Sequence, residues 1–228
     1  MNKLQEDVVK SLNYIPNLKT SLLTTKALSQ LLSFNLPEWL YLSYANDFLF
    51  EKEYVEQMKE LTEKERWNII VPDEVSLKEK YNHSIIIVDE NKNLIWNISV
   101  DPFKVEGVDL KIVSTGTLFV KDEYKSKKLW SKLIEAWTYI AKLKNDVILS
   151  LTFNEKVLYK RLKLGFKEFD VEKIWKTQNP KYMYEYLKHA MEAYRQTYNM
   201  PEEEFLSKIK YTAWHRPNLN VKGNFDDN

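Results

Sequence analysis

Residues Leu118 to Leu133, LFVKDEYKSKKLWSKL, run a strand pattern straight into an amphipathic helix pattern. Four lysines, Lys121, Lys125, Lys127 and Lys128, crowd the junction, and it contains no glycine. A strand that delivers the chain into an exposed helix N-terminus presents unsatisfied backbone N–H groups and the positive end of the helix dipole. That is a common way to build an anion or phosphate site. Here the geometry for such a site is present, but the glycines that let a phosphate approach the backbone are not. The competing reading of the lysine cluster is a solvated helix start.

The rest of the chain limits the options. A length of 228 residues suits one large domain, or one core with extensions. With no cysteine, disulfides, thiolate nucleophiles and Cys-ligated zinc are excluded. The formal charge of +1 gives no global field towards nucleic acid or membrane. His83, His189 and His215 are too scattered in sequence to suggest a metal cluster. No secretory signal or membrane span is expected, and the expected location is the cytoplasm, or a virion if the chain is phage-encoded. The aromatic share of 14% is high, enough to fill a large core or furnish a protein interface.

The order of elements follows from periodicity. Leu22, Leu23, Ala27, Leu28, Leu31 and Leu32 fall at helical spacing. Pro37 suits the first turn of a second helix, through Trp39, Leu40, Leu42 and Tyr44, with Asn35 as its cap. Glu51 to Leu61 forms a further amphipathic helix with Tyr54, Val55 and Met58 as its apolar stripe. Trp67 to Val71 is a short apolar run closed by Pro72. Ser84 to Val88 and Leu94 to Val100 flank a turn cluster and predict a hairpin that Pro102 ends. Leu110 to Val120 is a long strand interrupted at Gly116, where a bulge or a close backbone approach is expected. A helix follows, with Leu129, Leu133, Ile134, Trp137, Ile140 and Ala141 on one face. Then come a strand at Val147 to Phe153, a short helix capped by Asn154 and stopped at Gly165, and a final strand at Phe166 to Trp175. Lys181 to Tyr198 and Pro201 to Lys210 read as helices, and the residues from Pro217 onwards as extended or disordered.

Two segments resemble the GNAT acyltransferase family. Val120-Lys-Asp-Glu-Tyr-Lys125 followed by Ser131-Lys132-Leu133 is similar to the family's V-x-x-E-Y-R, glycine-rich turn and S-K-L. Asn154 to Phe166, NEKVLYKRLKLGF, is similar to N-x-x-A-x-x-x-Y-x-x-L-G-F, with the Asn-to-Gly spacing intact. The resemblance covers residues 67–175 and implies an α+β fold: a GNAT-like, mixed, mostly antiparallel twisted sheet flanked by helices. Residues 1–62 then form a helical N-terminal segment, 63–177 the core, and 178–228 a helical extension with a flexible tail.

The resemblance also implies an acetyl-CoA loop, made of Phe119, Val120, Lys125, Ser126, Lys127, Lys128, Leu129, Trp130 and Ser131, with Asn154 nearby. Ser126, Lys128 and Trp130 stand where the family has glycines. The position of the family's general-acid Tyr holds Arg161, with Tyr159 two residues before it on another face. Asp122 and Glu123 are the candidate bases. A guanidinium stays protonated, so Arg161 could stabilise a leaving thiolate by charge alone. The bland alternatives are a packing or surface role for Tyr159 and Arg161, a simple N-cap for Asn154 and a solvated turn for Asp122 and Glu123.

Two functions follow. With its glycines and Tyr replaced, the chain reads as a GNAT fold without catalysis, a structural or interaction protein of the kind found among phage virion and accessory proteins. Its partner would be another protein or a second copy of the chain, met through the aromatic terminal helices, and it would bind no cofactor. The alternative is an active acetyl-CoA-dependent N-acyltransferase.

Overall fold

The computed structural model describes residues 40–64, 73–121, 124, 134–135, 137–139, 141–142, 145–217 and 219. The expected helix at 22–32 and the strand at 67–71 lie outside them. The chain divides into two compact units: residues 1–100 with 116–143, and 101–115 with 144–228.

In the first unit the strands β1 (Leu40–Tyr44), β2 (Ser84–Asp89), β3 (Leu94–Phe103, as far as Val100) and β4 (Ile112–Val120, from Gly116) lie in the order β1-β2-β3-β4. β1 pairs antiparallel with β2, from Leu40↔Asp89 to Tyr44↔Ile85. The helix expected through Leu40, Leu42 and Tyr44 is therefore a strand. Those apolar residues alternate with period two, the strand period, and β1 pairs along one edge with β2.

β2 and β3 form the expected hairpin, with Ile85↔Ile98 and Ile87↔Trp96 in register. The Asp89 carboxylate closes its turn by accepting the N–H groups of Asn91 and Asn93 at 2.9 and 2.8 Å. β3 does not end at Pro102 but runs on to Phe103. Pro102 is exposed there, and its fixed φ suits extended backbone.

Three helices accompany these strands: α1 (Ala45–Phe48), α2 (Glu51–Lys64) and α3 (Glu74–Tyr81). α2 buries Tyr54, Val55, Met58 and Leu61, the stripe its spacing predicts. They pack with Leu77 of α3, Ile86 and Val88 of β2, Leu94 of β3 and Phe119 of β4 into one core. Further on, Ile134, Trp137 and Ala141 are buried and helical, as the stripe over 129–141 predicts for them.

In the second unit the start of β4 pairs in parallel with β5 (Val147–Thr152), and the strand order is β4-β5-β7-β6. A helix α4 (Glu155–Lys163) follows β5. It ends in a Schellman turn: Gly165, at φ +80°, donates to Leu162, and Phe166 donates to Arg161 at 3.1 Å.

The expected strand at 166–175 is cut short. β6 is only Lys167–Phe169, and α5 (Val171–Thr177) begins at once. Asp170 is the cause, since its carboxylate accepts the Lys173 N–H at 3.0 Å and caps that helix.

α6 (Lys181–Tyr198) and α7 (Glu202–Lys208) are the two helices expected after it. Sequence reasoning missed β7, Lys210–His215, which enters between β5 and β6. It pairs antiparallel with all of β5, from Val147↔His215 to Thr152↔Lys210. Its Tyr211 and Ala213 join Val147, Leu149, Met183, Leu187 and Phe205 in the core of this unit.

The Tyr182 hydroxyl of α6 meets Nε2 of His215 in β7 at 2.8 Å. Burial, with Lys167 adding to it, pushes this imidazole down to about 4. The fold thus keeps His215 neutral where a free imidazole, at about 6.5, would take a proton. Its contribution is complete above pH ~6.5 and is lost as pH falls towards ~4, below which both states are protonated. Urea midpoints between pH 7.5 and pH 4.5 should record a loss on the order of 2 kcal/mol that His215→Gln removes. An unchanged slope in that variant would assign the acid sensitivity to other groups.

Candidate functional site

Within the first unit, β4 carries an irregularity where Gly116 suggested one. The residue that leaves the strand conformation is its neighbour: Thr117 has φ 29°. Positive φ at a β-branched residue costs on the order of 1–3 kcal/mol and persists only where neighbours impose it. Asn97 of β3 is one such neighbour. Its Nδ2 donates to the Thr117 carbonyl at 2.8 Å. Its Oδ1 accepts from the Tyr54 hydroxyl at 3.2 Å, and that hydroxyl lies 2.7 Å from Ser84 Oγ. Tyr54, Ser84 and Asn97 are fully buried.

Sequence reasoning did not find this chain of polar groups. A signal was available, because Asn97 is a poor strand former set in the apolar run LIWNISV. Beyond the irregularity, Phe119 and Val120 are buried at 5% and 4% exposure, so they present backbone rather than side chains to any ligand.

In the second unit the parallel ladder has three pairs, Ile112↔Val147, Val113↔Ile148 and Ser114↔Leu149. It ends there, although β5 continues to Thr152 in its ladder with β7. At the end of the ladder the Thr115 hydroxyl bonds to Ser150 Oγ at 3.1 Å. Parallel pairing that stops within a strand leaves backbone donors and acceptors turned away from β7.

Asn154 is the N-cap of α4, with its Oδ1 accepting the Lys156 N–H at 2.9 Å. Tyr159 is exposed, with Lys163 Nζ 4.4 Å above its ring. Arg161, two residues on, is 1% exposed, and its guanidinium lies 5.1 Å over the Phe166 ring. The two side chains therefore occupy different faces of α4, as their spacing predicts. Burial pushes the Arg161 guanidinium down to about 9, and the nearby Tyr186 works the other way. The remaining candidates, Glu123, Lys125, Ser126, Lys127, Lys128, Leu129, Trp130 and Ser131, lie outside the described residues, as does Asp122.

No family model matches the sequence, and no curated protein matches it by sequence. Solved structures do match. N-acetylglutamate synthase from Neisseria gonorrhoeae, complexed with coenzyme A and N-acetyl-glutamate, aligns with a TM-score of 0.50 at 10% identity, over 80% of this chain. The chain has the GNAT fold.

The aligned part is 36% of the synthase chain, so this GNAT-fold chain spans about a third of that protein. Rv2747 from Mycobacterium tuberculosis, in complex with CoA and NLQ, aligns at TM-score 0.48 and 8% identity, over 76% of this chain and 98% of that one. A GNAT-family acetyltransferase from Staphylococcus aureus Mu50 aligns at TM-score 0.43 and 17% identity, over 57% and 85%. The mixed, mostly antiparallel sheet with flanking helices is what the two sequence motifs imply for this fold.

Proposed function

We propose that this GNAT-fold chain is an acyl-CoA-dependent N-acyltransferase. The observation that carries the proposal is the parallel β4–β5 ladder that ends at Ser114↔Leu149. Backbone groups freed on β5 can pair with an extended ligand that bears amides, in the manner of strand addition. The pantetheine arm of an acyl-CoA is such a ligand. The synthase that shares the fold was solved with coenzyme A, which supports the same ligand class here.

In the reaction an unprotonated amine attacks the thioester carbonyl, a C–N bond forms and the C–S bond breaks. The attacking nitrogen gives up a proton, for which Glu123 is the candidate acceptor, and the thiolate leaves. Backbone N–H groups at the β4 irregularity would polarise the carbonyl. Lys125, Lys127 and Lys128 would attract the diphosphate.

The second reading is a structural or interaction protein without catalysis. It rests on Ser126, Lys128 and Trp130 in place of glycines, and on Arg161 where the family has Tyr.

Calorimetry with acetyl-CoA separates the two. The acyltransferase reading expects micromolar binding, weakened about tenfold by Lys128→Glu, which removes one cation and adds an anion beside the diphosphate. No binding at millimolar acetyl-CoA would overturn it in favour of the structural reading.

A further inference from the structure

We propose that Asn97 is a positioning residue that aims one peptide of β4 at the acyl group; this rests on the acyl-CoA reading above. The hydrogen-bond bookkeeping fixes the direction of every group in the buried chain. A carbonyl only accepts, so the atom of Asn97 that meets the Thr117 oxygen at 2.8 Å must be the Nδ2 donor. Oδ1 is thereby turned to the Tyr54 hydroxyl, whose single proton goes to it. Ser84, at 2.7 Å, must then donate to Tyr54. The amide of Asn97 is locked in one of its two flip states by a helix residue, Tyr54 of α2, and a strand residue, Ser84 of β2.

The other end of this chain holds a strained peptide. Thr117 sits at φ 29°, and its carbonyl is the group that Asn97 holds. The sole cis peptide among the described residues is Asn179–Pro180, so the Thr117–Leu118 peptide is trans. In a trans peptide the N–H points opposite to the C=O. With the Thr117 carbonyl drawn towards β3, the Leu118 N–H is directed away from β3. An N–H fixed in that direction is a donor whose orientation is set before any ligand arrives, which is what carbonyl polarisation requires.

Three fully buried polar side chains form this lock, and buried polar groups are costly unless each is satisfied. An apolar residue would fill the same place in LIWNISV at less cost. The presence of Asn97 there is accounted for by the Thr117 carbonyl it holds.

The test uses acetyl-CoA labelled with carbon-13 at the acyl carbonyl and reads its infrared stretch when bound to the full chain. In the wild type the stretch should move to lower frequency on binding. Asn97→Leu keeps the volume and removes the donor to Thr117. Tyr54→Phe is the milder variant, which keeps the packing of α2 and releases the Asn97 amide. Both should lose the frequency shift while affinity for CoA itself stays within about threefold. A merely structural role would change stability and leave the bound carbonyl unmoved. Either variant, if folded, that keeps the full shift overturns the positioning role and leaves the acyl-CoA reading intact. A wild type that binds no acetyl-CoA overturns both.

Discussion

A chain cut after Ile209 is expected to lose cooperative folding of its second unit. The cut removes β7, which pairs with six residues of β5, Val147 to Thr152, and with Lys167 to Phe169 of β6. Tyr211, Thr212 and Ala213 are fully buried, and the Tyr211 hydroxyl donates to the Met183 carbonyl of α6 at 3.2 Å. Backbone pairs at about 0.5–1.5 kcal/mol each, with the burial of Tyr211 added, amount to a loss on the order of 5–10 kcal/mol. That is the size of a whole domain's stability. The measurement is a urea transition followed by near-ultraviolet circular dichroism, with a chain ending at Asn220 as the control that retains β7. A truncated chain with the same midpoint as the control would mean that β7 adds nothing to the unit.

The second large effect concerns Arg161. Its side chain is 1% exposed over Phe166, and burial disfavours its charge. Arg161→Ala should cost about 3 kcal/mol, because it leaves a cavity the length of an arginine stem. Arg161→Met fills most of that space without a charge to desolvate, and buried charges are often replaced by apolar residues at little cost. Its stability should fall within about 1 kcal/mol of the wild type. The pair therefore separates packing from chemistry. If the guanidinium stabilises a leaving thiolate, turnover falls in both variants, whatever their stability. Full turnover in Arg161→Met would confine the residue to packing.

The parts of the fold legible in the sequence are those with a local signal. α2 announced itself through Tyr54, Val55 and Met58, the β2–β3 hairpin through its Asp89–Asn93 turn, and the end of α4 through Gly165. The misreadings share a cause. β1, β6 and β7 are short, of five, three and six residues, and periods of two and 3.6 are hard to tell apart over so few positions. Tertiary pairing decided them. KYTAWH became a strand because β5 and β6 offered it partners, which no local pattern encodes.

Candidate site residues were named only where a motif points to them. Asn154 and Arg161 were named as candidates by the motif and by register from Gly165. Asn97 was not, because Tyr54 and Thr117, which it meets, and Ser84, which it reaches through Tyr54, come from three other elements.

The late position of β7 also bears on how the chain is made. β5 and β6 are synthesised well before residues 210–215, and β5 holds apolar Val147, Ile148 and Leu149 at its centre. During that interval β5 has an open hydrogen-bonding edge where β7 will later insert, and open edges invite pairing with other chains. Completing this unit requires the insertion of a distant strand between two earlier ones, a non-local pairing of the kind that slows folding. A nascent chain stalled before residue 210 is the species most exposed to aggregation, and the one for which a chaperone would matter most.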